Sequence, residues 1–535
     1  MLKKEYFLFV VITVLVLIFS NIYVFYGLFA PKEGLTYLGR RVINSQDTYT
    51  YVAFIEQAKQ GRILFENLYT TEPQTESLIR PSYYLLGRIA LALDISSIAA
   101  YHLGRIIFSV AFCFVLYLFL GIFFKTYKRR LLAYTIIIAT TGLGFLVGSL
   151  WSQVSDAWIP ESNTFLSLQE APHFILSQML MLLTFLFILK GWSLAGVNNK
   201  AKRRIIYFIL SFVSLFLLTF EHPYDLLLCT GAILLSVIYI GLFQKINKRV
   251  FVISALGISA VCLLGLLYQY TETLRNPILN NWAAQSKSPN PIDYILGYGV
   301  LIPFAVIGLE RYLNKPKFSQ ILIVSWVGVT SILLYSPVFF QRRLSEGFHI
   351  PLGILGAEGL IIVAVFVSRL FIPKVRKMVS YVFVGIVVIF MCIGTVLGVQ
   401  QDVNTVSKDT IGAYYYYMLN DEIKAMDYLK HKTGEKDTIL SNWFYGNVIP
   451  GVTGRRVYIG HKAQTNQFDN KIAIINKFLL NKNADEAYRF LTDNNITYLY
   501  LGGNDSILTY GFKPEKKPYL IKIYDEGQAR IYKVR

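Results

Sequence analysis

The stretch SQDTYTYVAFIEQAKQGRILFENLYTTE, residues 45–72, is the first polar segment after a long apolar run. It contains one early carboxylate, Asp47, followed by a short amphipathic run that is too polar to cross a bilayer. The apolar run before it has a basic start and is longer than the core of a signal peptide, so it predicts a retained anchor helix. We therefore expect residues 45–72 to lie in the first outer loop of a protein with several membrane spans.

The composition places the chain among membrane proteins. Its 535 residues have a mean hydropathy of +0.46, and only 16% are charged, too few to cover a soluble protein of this length. The net charge of +19 comes from short basic clusters between apolar runs, which is typical of cytoplasmic loops. We therefore expect no nucleic-acid partner. The four cysteines lie inside apolar runs, without metal-site or disulfide spacing.

Apolar runs long enough to span a bilayer occur eleven times, each close to the ~17–25 residues that a helical span needs. They are 6–28, 101–124, 131–149, 173–190, 204–220, 225–243, 250–270, 292–309, 318–338, 350–368 and 380–399. Loops such as KTYKRR (125–130) are basic, whereas 150–172 contains no Lys or Arg. The positive-inside rule then predicts a multi-pass protein of the plasma membrane, with a cytoplasmic N-terminus and an outer C-terminus.

The chain from Gln400 onward is polar and contains no further span. Its periodicity predicts helices at 422–434 and 483–495, strands at 437–442 and 496–503, and a hairpin at 519–534. Alternating helices and strands predict a small α/β domain. The sequence thus predicts a mainly α, polytopic helical bundle at 1–399, with an outer loop at 29–100, and an extracytoplasmic α/β domain at 400–535.

The short inner loops leave no room for a cytosolic nucleotide-binding domain, and the sequence has no Walker motif and no GxGxxG after a strand. If the protein is an enzyme, its chemistry therefore takes place at the outer face. Because nucleotide-sugars are not expected there, a transferase on that side needs a donor that is already activated in the membrane. This requirement points to a lipid-linked phosphate.

Four outer segments hold most of the unusual polar residues: 45–88, 152–174, FEHPYD (220–225) and FFQRRLSEGFHIPLG (339–353). Ionisable side chains at membrane depth are costly and mark functional sites, so we expect them to share a cavity. The side chains expected to line it are Asp156, Glu170, His173, Glu221, His222 and Asp225. The glutamates that follow Asp47, which are Glu56, Glu66, Glu72 and Glu76, are expected to be solvated.

Two kinds of ligand are expected in this cavity. Arg342, Arg343 and Arg80 have the guanidinium groups that bind a donor phosphate, although basic residues at span ends also snorkel to the interface. A divalent cation, Mg²⁺ or Mn²⁺, is the second expectation, because carboxylates and imidazoles can hold one against a phosphate. Its candidate ligands are Asp47, Asp156, Glu221 and His222.

The whole chain resembles the GT-C superfamily of integral-membrane glycosyltransferases, which includes dolichyl-phosphate-mannose mannosyltransferases and aminoarabinose transferases. The motifs that carry the resemblance are SQDTYTYVAFIEQAKQG (45–61), IRPSYYLLGRIA (79–90), FEHPYD, RRLSEGFHIPLGILGA (342–357) and IPGVTGRRVYIGHKAQT (449–465). The resemblance implies a polyprenyl-phosphate-linked sugar donor, an extracytoplasmic acceptor (glycan, lipid or protein) and a catalytic base in the first outer loop at Asp47. It also implies two interfacial helices, at Tyr49–Gln60 and Pro81–Leu93. Asp47 is flanked by Gln46 and Thr48, where many members have a second acidic residue.

Other functions remain open at this stage. A transporter or flippase would have polar residues at mid-span and broken helices in two related halves, whereas here the polar residues gather at one face. A non-catalytic assembly protein of the cell envelope could retain the same fold. The tail could also bind a glycan or a partner, with His461 and Lys462 as its contacts.

Overall fold

The computed structural model describes residues 2–30, 32–276, 286–408, 415–503 and 511–535. These residues form two compact units. The helical unit comprises the described residues of Met1–Ile22, Arg105–Thr271 and Ala283–Gln401. The loop–tail unit comprises the described residues of Tyr23–Gly104, Glu272–Trp282 and Asp402–Arg535. The first outer loop thus belongs to the same unit as the tail, whereas the sequence predicts one domain at 1–399 and a second at 400–535.

Long apolar helices dominate the described chain, because a helix satisfies every backbone polar group where no water is available. Seven are long and apolar enough to cross a membrane. They are Ser97–Phe123, Pro172–Trp192, Ala201–Glu221, Asp225–Phe243, Arg249–Arg275, the stretch Gln341–Arg369 and Arg376–Ser407. The protein is therefore a multi-pass membrane protein.

Three further pairs of helices pass the same test together but bend at a short break. They are Lys3–Ser20 with Ile22–Phe29 (55°), Tyr127–Ala139 with Gly144–Gln153 (42°), and Pro291–Tyr298 with Leu301–Leu313 (84°). Phe318–Leu333 is a shorter apolar helix. Each of the eleven predicted spans overlaps one of these helices or pairs, so the helices are confirmed. The number of crossings and the side of each terminus stay predictions.

Short elements join the long helices of the helical unit. They are Ser155–Trp158, the 3₁₀ turn Pro160–Ser162, Thr164–Gln169, the 3₁₀ turn Asn198–Lys200 and the 3₁₀ turn Gln341–Ser345, after which a helix runs from His349 to Arg369. The side chain of Asn163 accepts from the N–H groups of Phe165 and Leu166 and so caps the helix that follows it.

The outer loop of the loop–tail unit has two helices, Asp47–Lys59 and Pro81–Ala92. Both agree with the helices implied by the resemblance. They pack closely, since a Cβ on Gly87 would meet the side chain of Ala58. Strand β1 (Leu35–Tyr37) pairs antiparallel with β2 (Tyr417–Leu419), which ties the loop to the tail.

The tail contains five strands: β3 (Thr438–Leu440), β4 (Arg456–Val457), β5 (Ile496–Leu501), β6 (Leu520–Glu526) and β7 (Ala529–Val534). They form one sheet in the order β4-β3-β5-β7-β6. Both β4 and β5 are parallel to β3, while β7 is antiparallel to β5 and β6. The tail helices are Asn420–Lys432, Trp443–Thr453, Phe468–Leu480 and Ala484–Asp493, with a 3₁₀ turn at Pro514–Lys516. The predicted α/β class of the tail is confirmed.

Candidate functional site

Asp47 is the first residue of the helix Asp47–Lys59, where a carboxylate interacts favourably with the helix dipole. Its side chain is 38% exposed. The Asp47 Oδ1 atom lies 2.8 Å from the Nε2 atom of His461, whose side chain is almost fully buried. The loop that carries His461 follows β4 in the tail. A carboxylate that was singled out in the outer loop is therefore held by a histidine of the tail, within one unit.

The backbone before Asp47 is also held by the tail. The Nδ2 atom of Asn447 donates to the carbonyl of Gln46 at 3.1 Å, and its Oδ1 atom accepts from Arg40 at 2.8 Å. Arg40 is buried against the rings of Tyr49 and Tyr415. Burial raises the pKa of Tyr49 to about 12, against the opposing effect of the Arg40 guanidinium. The phenol therefore stays protonated and donates to the carbonyl of Leu38 at 2.9 Å.

Arg80, predicted to bind phosphate, belongs to the same unit as Asp47. It is buried at the start of the helix Pro81–Ala92, with a φ of +50°, which few residues other than glycine adopt. Its guanidinium lies 5.0 Å from the ring centroid of Tyr51. A cation–π contact of this kind positions the group without neutralising its charge. Phosphate binding by Arg80 stays a prediction.

The FEHPYD motif forms a tight turn between two long helices of the helical unit. His222 leaves the first helix (φ −152°) because the following Pro223 disfavours the helical region for its predecessor. The next helix begins at Asp225. The Nδ1 atom of His222 lies 2.9 Å from Oδ1 of Asp225, and both side chains are buried. The His173 ring lies 6.4 Å from that of His222.

Asp225 has two further carboxylates within electrostatic reach, those of Glu161 and Glu346. All three are buried, and we call them the acidic centre. The Nε2 atom of Gln178 donates to Glu346 Oε1 at 2.7 Å. One oxygen of each carboxylate has no hydrogen-bond partner among the described residues. Buried charges are costly, so these oxygens are candidates to meet a cation, a proton or the hydroxyl groups of a ligand.

Glu161 and Glu346 belong to segments that the sequence analysis selected, but neither was among the predicted cavity residues. Glu161 lies in the turn Pro160–Ser162, and Glu346 follows the turn Gln341–Ser345. The two turns touch, because the N–H of Gly347 donates to the carbonyl of Glu161 at 3.0 Å. The sequence signal for both was their place in the outer segments 152–174 and 339–353, whose ionisable residues were expected to share a cavity.

The two arginines predicted to bind phosphate lie beside the acidic centre. The guanidinium of Arg342 is 4.0 Å from Glu161 and 4.6 Å from the ring centroid of Trp158. Arg343 donates to the hydroxyl of Ser286 at 3.1 Å and lies over Tyr224. The side chain of Arg342 is 17% exposed, so a ligand can reach it.

Asp156 lies apart from these contacts, in a backbone cradle. Its carboxylate accepts from the N–H groups of Gly142 (3.0 Å) and Gly144 (3.3 Å) and from the Trp151 indole at 3.2 Å. Burial raises its pKa to about 6, although these donors oppose the shift. The carboxylate is therefore used in holding the turn that follows Ala139. Glu170, His173 and Glu221, the remaining predicted cavity residues, are all buried in the helical unit.

A divalent cation such as Mg²⁺ or Mn²⁺ needs several ligand atoms around one point. Carboxylate oxygens without a partner are the ligands that hard cations prefer. However, no three His, Cys, Asp or Glu side chains stand close enough to surround one ion in the part of the chain that the structure describes. Of the four predicted ligands, Asp156 is engaged by backbone N–H groups, and Asp47 is paired with His461. The four predicted ligands therefore do not surround one point in this structure, and binding of a divalent cation stays a prediction.

Of the four glutamates behind Asp47, Glu76 is exposed as expected, whereas the other three form ion pairs. The prediction that Glu56 is solvated was wrong, since it is buried and its Oε1 atom pairs with Lys430 at 2.7 Å. Glu66 pairs with Arg456 at 2.6 Å, and Glu72 pairs with Lys471 at 2.9 Å. In each case the partner belongs to the tail. The amphipathic pattern of the loop could not reveal partners so distant in sequence.

Two groups of solved structures resemble this chain. Archaeal oligosaccharyltransferase AglB from Archaeoglobus fulgidus, in complex with an inhibitory peptide and a dolichol-phosphate, gives a TM-score of 0.59 at 12% identity, covering 93% of this chain and 69% of the other. ArnT from Cupriavidus metallidurans, bound to undecaprenyl phosphate, gives 0.53 at 12% identity, covering 99% and 98%. No protein-family model and no curated protein matches the sequence.

The chain has the GT-C fold. The similarity to ArnT runs over nearly the full length of both chains, so it covers the tail as well as the helices. This confirms the fold class predicted from the outer-loop and tail motifs. At 12% identity the similarity establishes architecture, and the chemistry has to be argued from this chain's own residues.

Proposed function

We propose that this protein is a membrane glycosyltransferase that moves a sugar from a polyprenyl-phosphate-linked donor to an acceptor on the extracytoplasmic face. The observation that carries the proposal is Asp47. It is a partly exposed carboxylate, placed at a helix N-terminus and held by a buried histidine, in a chain with the GT-C fold. AglB and ArnT, which share the fold, were solved with dolichol-phosphate and undecaprenyl phosphate.

In the proposed reaction an acceptor hydroxyl or amine attacks the anomeric carbon of the sugar. The bond from that carbon to the phosphate oxygen breaks, and the polyprenyl phosphate leaves with the electron pair. Asp47 takes the proton of the acceptor as general base. The attack inverts the anomeric carbon, because nucleophile and leaving group lie on opposite sides.

Arg342 and Arg343 are proposed to stabilise the departing phosphate. Guanidinium groups bind phosphate oxygens through paired, charge-assisted hydrogen bonds. The adjoining acidic centre offers carboxylate oxygens that can accept from sugar hydroxyl groups. A lysine at position 342 would keep the charge but lose the fork, so Arg342→Lys is expected to weaken donor binding.

The proposal can be tested in proteoliposomes with a panel of polyprenyl-phosphate-linked sugars. Release of polyprenyl phosphate would be followed for the wild type, Asp47→Asn and a matched control, Asp469→Asn. Asp469 is an exposed carboxylate, also in the first turn of a helix of the loop–tail unit. The rate of release by Asp47→Asn is expected to be lower by about 10²–10⁴-fold, which is the usual contribution of a general base. The control is expected to keep the wild-type rate. A well-folded Asp47→Asn that retains full transfer would remove the base assignment.

A further inference from the structure

His461 is fixed in one tautomer by its own loop. Its Nδ1 atom accepts from the backbone N–H groups of Ala463 (3.1 Å) and Gln464 (3.3 Å). Two donors aimed at Nδ1 require a lone pair there, so the ring proton is on Nε2. That Nε2–H points at Asp47 Oδ1, 2.8 Å away. His461 is therefore a fixed hydrogen-bond donor to the Asp47 carboxylate.

The loop that carries His461 is held from several sides. The N–H of Thr465 donates to the carbonyl of His461 at 2.8 Å, and the Thr465 hydroxyl donates to the carbonyl of Tyr69 at 2.8 Å. The ring of Tyr69 meets the imidazole edge-on at 6.1 Å. A Cβ on Gly460 would collide with the backbone of Gly446. The donor is thus preorganised, because neither the ring nor its loop can turn without breaking these contacts.

The tail holds Asp47 from the carboxyl ends of two parallel strands. His461 lies in the loop after β4, and Asn447 lies in the crossover helix Trp443–Thr453 after β3. Asn447 holds the carbonyl of Gln46, and His461 holds the side chain of the next residue. Carboxyl ends of parallel strands are where α/β domains usually present functional groups. Here the group that they meet is the catalytic residue of the proposed function.

We propose that His461 is a positioning residue that orients the Asp47 carboxylate through a fixed Nε2–H donor. This inference rests on the proposed function, and it makes the tail part of the reaction centre instead of a separate binding module. Loss of this hydrogen bond to a charged group is expected to reduce the turnover number by about 10–100-fold. The KM values for donor and acceptor are expected to stay within a few-fold, because His461 contacts the base.

The test compares His461→Gln and His461→Leu in the proteoliposome assay. The Gln amide nitrogen can stand where Nε2 stands and still donate, whereas Leu fills similar space without a donor. We expect His461→Leu to lose about 10–100-fold in turnover and His461→Gln to recover most of it. His431→Gln, at an exposed tail histidine, is the matched control. Equal losses of turnover in His461→Gln and His461→Leu, or no loss in His461→Leu, would overturn the proposal. A purely structural role would not depend on whether the side chain donates a hydrogen bond.

A double-mutant cycle separates this inference from the proposed function. If His461 acts through Asp47, adding His461→Leu to Asp47→Asn causes little further loss. Additive losses would overturn the positioning role while leaving the base assignment intact. Full transfer by Asp47→Asn would instead remove the base assignment on which this inference rests. No transfer by the wild type from any donor of the panel would contradict the proposed function itself. If the residual activity of Asp47→Asn is too low to measure, the Gln and Leu comparison decides. Protein levels and apparent melting temperatures in detergent show whether each variant is folded.

Discussion

The ion pair between Glu56 and Lys430 leads to an asymmetric prediction. Glu56 lies on the same helix as Asp47, and Lys430 lies on the tail helix Asn420–Lys432. The side chain of Glu56 is 3% exposed and that of Lys430 is 28% exposed. Glu56 also accepts from the hydroxyl of Ser97 at 2.6 Å. Removing the lysine leaves a charge in the interior, whereas removing the glutamate leaves a charge that water can reach.

The magnitudes follow from this geometry. At 2.7 Å and an effective dielectric of about 20, the gross attraction is about 6 kcal/mol, most of which offsets desolvation. Lys430→Met leaves the buried Glu56 carboxylate without its cation and is expected to lower the free energy of unfolding by ~3–5 kcal/mol. Glu56→Gln keeps an acceptor for Ser97 and leaves Lys430 to be hydrated, so it is expected to cost ~1–2 kcal/mol. The double variant has no buried carboxylate, so its stability is expected to be close to that of Glu56→Gln. The effects of the two substitutions are then strongly non-additive.

The measurement is the apparent melting temperature in one detergent at one scan rate, together with protease resistance of the tail. Lys424→Met on the same tail helix is the control, since its pair with Glu526 is largely exposed and should contribute about 0–1 kcal/mol. A Glu56→Gln variant that is less stable than Lys430→Met would refute the reasoning, because burial would then not decide the cost. Additive effects in the double variant would contradict a direct ion pair.

Two further predictions concern buried carboxylates of the helical unit. Burial raises the pKa of Asp156 to about 6, so its stabilising contribution is present at low pH and is lost as the pH rises through that value. The apparent melting temperature should therefore fall between pH 5 and 7.5, by the equivalent of roughly 1 kcal/mol. This fall should be smaller in Asp156→Asn. Glu346→Gln replaces a buried carboxyl group that lies near those of Asp225 and Glu161, and it should leave the melting temperature unchanged or higher while sugar transfer drops at least about tenfold; a destabilised variant with full transfer would show that Glu346 is structural.

The long helices could be predicted from sequence because length and hydropathy alone specify them. The two outer-loop helices could be placed to within a few residues by the resemblance, and β3, β5, β6 and β7 by their alternation, whereas the two-residue strand β4 was not predicted. The helix Trp443–Thr453 was not predicted, since Gly446, Pro450 and Gly451 suggest a turn. The structure explains these residues by close approach: a Cβ on Gly446 would meet the carbonyl of Ile459, and one on Gly451 would meet the ring of Tyr49. Tertiary packing here overrides local propensity.

The helix Phe468–Leu480 was also not predicted, although its apolar residues Ile475, Phe478 and Leu479 have helical spacing and are buried. This spacing is visible in the sequence and was the signal that could have found the helix. Asp47 was selected from the sequence, whereas its partnership with His461 joins residues 414 positions apart. A single sequence carries no signal for such a pair, because each residue alone is compatible with an exposed surface.

The acidic centre shows why a site can be recognised from sequence only in part. FEHPYD is conspicuous because three ionisable residues are compressed between two apolar runs. Glu161 and Glu346 lack such a frame, and only the folding of two turns against each other brings their carboxylates within reach of Asp225. Burying neighbouring carboxyl groups is costly, because each loses its hydration beside the others. This cost is the physical reason to test the centre as part of the site, and Glu346→Gln is the variant that does so.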